Sequence, residues 1–216
     1  EIFFEDHFTR IKSGLNFLKI DYPNSFNFNF LKQEIHSLLE INNIDAGGKI
    51  KIYFFRSGLG TYKPLSNEIS YLIETIRLNS NFYELNKKGY LVSIFNEYKK
   101  QINNLSSFKT SNSLLYILAS LFSEQNNFND SLILNENNFI IESSNSNIFL
   151  LHNQKIITPP LTSGCIKGIM RNVIFNLLKE LNIEILERNI TERDLEISDE
   201  IFLTNVVNGI SWVGGY

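Results

Sequence analysis

The chain has 216 residues, 43% of them hydrophobic and 20% charged, with 18 Phe and 9 Tyr. That composition excludes a disordered, collagenous or coiled-coil protein and supplies apolar material for one large domain or two smaller ones sharing a cleft. Twenty Lys and Arg against 23 Asp and Glu leave a net charge of −3, which gives no field favouring nucleic acid or an anionic membrane and points to a small-molecule partner.

In chain order, Phe4, Phe8, Ile11, Leu15 and Leu18 recur at helical spacing, so residues 3–19 read as an amphipathic helix with Phe8 and Ile11 inward and His7, Arg10 and Gly14 on a neighbouring face. A second helix follows at 28–40. After Gly47-Gly48, the alternation of Lys49–Phe55 reads as a strand and Arg56–Tyr62 as a loop. The runs Ile69–Leu78 and Gly89–Phe95 read as further strands of the same sheet, and the Asn- and Ser-rich stretch 100–107 as a linker. Beyond it come a helix at 114–122, short strands at 131–134, 139–141, 148–151 and 155–158, with the last ended by Pro159-Pro160. A helix at 168–181, a strand at 183–186, a Thr191-x-x-Asp194 capping box and a final strand at 200–207 complete the pattern. This places an α+β domain over 1–105 and a mixed α/β domain over 106–216.

Cys165 stands alone, and His7, His36 and His152 lack zinc-ligand spacing; the sequence therefore reads as a reduced, cytoplasmic protein with no metal centre. No apolar run approaches the roughly 18–20 residues of a membrane span, and no basic-then-apolar leader opens the chain. The first residue is Glu1 and the last are Gly214-Gly215-Tyr216, which reads as a natural chain trimmed at both ends.

General motif searches return little. Gly58-Leu59-Gly60 lacks the third glycine and the helix of a dinucleotide fingerprint. Ser106-Ser107-Phe108-Lys109 fits Ser-x-x-Lys, but that chemistry needs both side chains on one helical turn, whereas Thr110-Ser111-Asn112 put the helix start beyond Lys109. Lys109 itself lies between an extended segment and a helix N-terminus, where partial positive charge and desolvation would favour the neutral amine of a Schiff-base nucleophile; a solvated linker lysine is the plainer alternative. Glu142 ends an apolar strand before a small polar run, a position suited to pairing with a protonated ring nitrogen or to an idle rim carboxylate. The helix start at Gly168-Ile169-Met170-Arg171 offers amides to a phosphate, as any helix start does.

In chain order these pieces resemble the class IV (fold-type IV) pyridoxal-phosphate enzymes, which include branched-chain and D-amino acid aminotransferases and 4-amino-4-deoxychorismate lyase. The matching stretches are Phe4–Arg10, Phe108–Asn112, Ile141–Phe149, Thr158–Leu161, Gly168–Arg171 and Asp199–Asn205. The resemblance implies a small N-terminal α+β domain and a larger C-terminal domain with a barrel-like sheet, the cofactor pyridoxal 5'-phosphate, and a homodimer whose loops complete the substrate pocket. It also implies roles: Lys109 forms the internal aldimine and shuttles the proton, and Glu142 binds the pyridine nitrogen. Arg10 binds the phosphate with the amides of Ile169 and Met170, and Asn147 lies near the cofactor plane.

Three departures stand out. Ser113 occupies a position where many members carry an aromatic residue or Arg, Met170 one where aminotransferases commonly place Thr, and Val206 one where others supply a hydroxyl. The family's first strands and its last strand and helix are expected outside these residues. The function implied first is amino-group transfer from a small amino acid. The alternative is 4-amino-4-deoxychorismate lyase, making 4-aminobenzoate and pyruvate, toward which Met170 leans and from which the absence of the lyase's more usual Asn-Arg pair after the lysine leans away; a catalytically silent protein on this fold is the third reading.

Overall fold

The computed structural model describes residues 2–216, which form two compact units divided between Phe82 and Tyr83. The first holds helices α1 (Phe4–Phe17) and α2 (Phe28–Ile41) and the antiparallel strands β1 (Gly48–Arg56) and β2 (Ile69–Arg77). Alternation along β1 turns Ile50, Ile52 and Phe54 onto the helices, where they meet Phe4, Leu15, Phe26, Leu31 and Ile35. Asn27 caps α2 by accepting from the Phe30 amide at 3.1 Å.

The second unit begins with β3 (Tyr90–Lys100), which the sequence pattern assigns to the sheet of β1 and β2. It lies instead in an eight-stranded sheet with β4 (Asp130–Asn135), β5 (Ile140–Ser143), β6 (Asn147–His152), β7 (Lys155–Thr158), β8 (Ile185–Glu187), β9 (Glu200–Asn205) and β10 (Gly209–Gly215). The order is β5-β4-β3-β10-β9-β6-β7-β8. Beyond β8, Ile190 bridges to Ile140 of β5, with the Ile140 amide donating to the Ile190 carbonyl at 2.8 Å. The two ends of the sheet thus meet, and the sheet curls on itself like a barrel.

Three hairpins, β4-β5, β6-β7 and β9-β10, account for part of this order, but β3 is parallel to both its neighbours, β4 and β10, as β7 is to β8. Parallel partners come from distant sequence, and no local pattern announces them. Strand β10 lies beyond the strand expected over 200–207; Asn205 ends β9 and turns the chain, its Oδ1 accepting from the amides of Val207 and Asn208, before the second strand starts. Gly89 and Gly214 permit the contact with β3, because a Cβ on Gly89 would overlap the Gly214 backbone.

The inside of the curled sheet is packed by Val92, Leu132, Ile140, Ile148, Leu150, Ile157 and Leu203. Outside, α3 (Leu114–Gln125) covers Phe95, Ile133 and Ile141, while α4 (Ile169–Glu180) covers Phe149, Ile156 and Phe202 through Ile174 and Leu178. The short helix α5 (Glu192–Ile197) has the capping box expected at Thr191 and Asp194. Among the described residues no helix is long and apolar enough to cross a membrane.

Candidate active site

Glu142 is aimed by an irregularity. Strands β4 and β5 pair as Leu132↔Ser143 and Ile133↔Glu142, then shift to Leu134↔Ile140, leaving Ile141 as an extra residue. A regular strand would send Ile140 and Glu142 to the same face. The bulge breaks that alternation: Ile140 packs inside the sheet, while Ile141 and Glu142 both turn outward to α3.

There the Glu142 carboxylate is buried and held by three donors. Lys100 Nζ and the Tyr116 hydroxyl each lie 2.7 Å from Oε1, and the Ile166 amide donates to Oε2 at 2.8 Å. An ionised carboxylate has about four lone-pair positions, so one remains, on Oε2. Tyr116 stays a phenol, its pKa raised by burial and then by the negative charge of Glu142. The same surroundings, burial first and Glu142 second, push the Cys165 thiol up to about 12, so this buried cysteine is inert toward thiolate chemistry at neutral pH.

Lys100 and Tyr116 carry no motif and were not expected in the site. Stretch 100–107, read as a linker, is instead a hydrogen-bonded turn. Ser106 is buried, its hydroxyl donating to the Gln101 carbonyl at 2.8 Å and accepting from the Asn103 amide at 2.9 Å. Its carbonyl accepts from Lys100 Nζ at 2.9 Å, and the Ser107 carbonyl accepts from the Lys167 amide at 3.0 Å. Lys109 follows this pinned turn with an exposed side chain, and α3 begins only at Leu114. Ser106 and Lys109 share no helical turn, as their sequence context implied.

Asn147, the first residue of β6, is buried and donates through Nδ2 to the Ile166 carbonyl at 2.9 Å. Its Oδ1 occupies the space where residue 168 would carry a Cβ, which makes glycine necessary there. Gly168 precedes α4 and brings no side chain to cap it, so the first amides, Ile169 and Met170, are open to an anion. The Ile169 and Met170 side chains are buried in the core. Arg171 also points inward, donating to the Pro159 carbonyl at 3.0 Å and to Glu187 at 2.6 Å. Asp130, on β4, accepts from Ser143, Ser144 and the Ser144 amide at 2.6, 2.6 and 3.1 Å and fixes the loop between Glu142 and Asn147.

The second unit thus gathers Glu142, Asn147 and the amides of Ile169 and Met170 around loop 164–168, with the Lys109 turn pinned to the same loop. Arg10 lies in the first unit, on α1, where a terminal nitrogen of its guanidinium is 3.4 Å from His7 Nδ1. Burial lowers the pKa of Arg10, and burial followed by the Arg10 charge lowers that of His7 to about 4 against an opposing effect of Asp6.

The family model described as Amino-transferase class IV matches residues 2–214. The chain belongs to the class IV aminotransferases. This family uses pyridoxal phosphate, and its fold-type IV architecture is the one described above. The branched-chain-amino-acid aminotransferase of Escherichia coli K12 is 30% identical over 100 residues, covering 46% of this chain and 32% of that protein. A Synechocystis relative named as a branched-chain-amino-acid aminotransferase is 24% identical over 209 residues, covering 95% of this chain and 66% of its own length. The match to the E. coli enzyme therefore spans about a third of its length.

Among solved structures, the "Putative 4-amino-4-deoxychorismate lyase" of Legionella pneumophila aligns with a TM-score of 0.85 at 24% identity, covering 99% of this chain and 77% of that one. The E. coli branched-chain aminotransferase aligns with a TM-score of 0.84 at 22% identity, covering 98% and 70%. Both likenesses concern the fold. Within this class IV chain, the free lone pair on Glu142 and the uncapped α4 suit the two charged ends of pyridoxal phosphate, a pyridinium and a phosphate.

Proposed function

We propose that this class IV chain binds pyridoxal 5'-phosphate and transfers the amino group of a small amino acid, with Lys109 as its catalytic residue. The observation that carries the reading is the carboxylate of Glu142, buried, fully oriented and left with one acceptor position. The cofactor supplies an aldehyde that condenses with amines and a ring that accepts electrons released at the substrate carbon.

The residues divide the remaining work. Lys109 Nζ is the attachment amine and carries a proton to and from the substrate carbon. Glu142 Oε2 would accept from a ring N–H, which would favour the protonated ring. The Ile169 and Met170 amides would bind the phosphate through their backbone, because Met170 brings no hydroxyl, and the family resemblance proposes Arg10 as a further phosphate ligand. Asn147 holds Ile166, whose amide in turn orients Glu142. In this reading the first unit is the small N-terminal domain and the second the cofactor-binding domain.

Elimination of pyruvate from 4-amino-4-deoxychorismate is the second reading, favoured by Met170 standing where aminotransferases commonly place Thr and opposed by the absence, after Lys109, of the Asn-Arg pair more usual in the lyase. Incubation with aminodeoxychorismate, followed by a pyruvate assay, separates it from transfer between an amino acid and a keto acid. Amino-group transfer predicts product only in the second assay; pyruvate in the first alone assigns the lyase. We also place the protein in the cytoplasm as a homodimer. Buried Cys165 supports the first, and the exposed apolar line Leu114, Ile117 and Leu121 along α3 supports the second; light scattering at a dimer mass is the expected result.

A further inference from the structure

Lys100 is the cation at the centre of the site, and neither the family's motif nor the sequence pattern assigns it a role. Its side chain is 12% exposed and that of its partner Glu142 4%. Nζ makes three contacts at once: Glu142 Oε1 at 2.7 Å, the Ser106 carbonyl at 2.9 Å and the face of the Tyr116 ring, 5.3 Å from its centroid. It reaches them through a second irregularity. Strands β3 and β4 pair as Phe95↔Ile133 and next as Lys100↔Asn135, so β3 spends five residues where β4 spends two. An unbroken ladder would carry Lys100 to the face opposite Phe95; the bulged stretch returns it to the side of Ile133 and Glu142.

A buried carboxylate with a buried ammonium is costly to assemble and more costly to break, because the survivor is left charged without a partner. The chain around the pair is therefore held to arrangements that keep both partners in contact. Here that contact joins two segments that must act together, the bulge carrying Glu142 and the turn preceding Lys109.

We propose that Lys100 is a positioning residue that couples Glu142 to the Lys109 turn, fixing the carboxylate as an anion and thereby directing the shared proton onto the cofactor's ring nitrogen. Lys100 touches Glu142 directly and, held by Oε1 and the Ser106 carbonyl, would not touch the ring. Its positive charge therefore acts most strongly on the carboxylate, favouring the arrangement in which the ring would carry the proton. Without Lys100 that preference for a protonated ring would be lost. Tyr116 cannot substitute, since it donates a hydrogen bond but brings no charge.

The inference rests on the pyridoxal-phosphate reading for its catalytic meaning, and its test separates the two. The full chain is reconstituted with pyridoxal phosphate labelled with 15N in the ring, and the 15N shift and backbone amide exchange are recorded for wild type, Lys100→Met, Lys100→Arg and Tyr116→Phe. The expected result is a pyridinium signal in wild type, Lys100→Arg and Tyr116→Phe, and an unprotonated ring in Lys100→Met. Amides of 101–109 should exchange at least tenfold faster in Lys100→Met alone. A Lys100→Met protein with the wild-type ring signal, or with exchange within twofold of wild type, overturns the proposal. Absence of any bound label in wild type defeats the cofactor reading instead, while the exchange comparison still decides the coupling. If Lys100→Met does not fold, Lys100→Met/Glu142→Gln removes both charges and should fold; failure of that double variant contradicts the ion-pair account.

Discussion

The side-chain oxygen of Asn147 rests against the Cα of Gly168, in the space a Cβ would fill. Because the Asn147 amide is simultaneously bound to the Ile166 carbonyl at 2.9 Å, the oxygen has little freedom to withdraw. Gly168→Ala must displace either Asn147 or the first turn of α4. The expected cost is about 1–3 kcal/mol of stability, as for other overpacked positions, with at least a tenfold loss of pyridoxal-phosphate affinity. Urea unfolding and cofactor titration measure the two, and an alanine variant with unchanged affinity would show that Asn147 and the α4 amides are not coupled.

Tyr116→Phe leaves the packing of α3 intact and removes one of three donors to Glu142. Hydrogen bonds to charged groups contribute about 1.5–3 kcal/mol, and a loss in that range is expected in denaturant unfolding. A loss near zero would indicate that water replaces the phenol.

His7 gives the first unit a pH dependence of definite sign. Its pKa is near 6.5 in the unfolded chain and about 4 in the folded one, lowered by burial and then by the Arg10 charge. The neutral ring's contribution is fully present above pH 6.5, and it is lost as pH falls toward and through 4, because the unfolded chain takes up a proton that the folded one refuses. The urea midpoint should fall between pH 7.5 and pH 5, and His7→Gln should flatten that fall. A midpoint that rises on acidification would mean that His7 is protonated in the folded state.

Local pattern made most elements of this fold legible. Ile50, Ile52 and Phe54 alternate because one face of β1 meets two helices, and Thr191-x-x-Asp194 announces α5 because a cap is a local device. The pairing of β3 was not legible. Its neighbours β4 and β10 lie far along the chain, and the pattern of Tyr90–Phe95 is compatible with either sheet.

Within the candidate site, Lys109, Glu142, Asn147 and the α4 start were legible through a family resemblance, not through local chemistry, and their roles remain what the experiments above address. Lys100 and Tyr116 were invisible for a physical reason. Each reaches Glu142 across the sheet or from a helix, and the two bulges that bring Lys100 and Glu142 to one face break the period that sequence reading relies on. An Asn- and Ser-rich stretch following a lysine looks like a linker, although here it forms a turn bonded to that lysine.

The claim at the centre of this account is that Lys109, not the nearby Lys100, is the amine that holds the cofactor. Borohydride reduction of the pyridoxal-phosphate-loaded protein, followed by peptide mass spectrometry, locates the pyridoxyl group directly. The account predicts the label on Lys109, its loss in Lys109→Ala, and an unlabelled Lys100 whose Nζ is committed to Glu142 and Ser106. A pyridoxyl group on Lys100, or an unchanged adduct in Lys109→Ala, would contradict it.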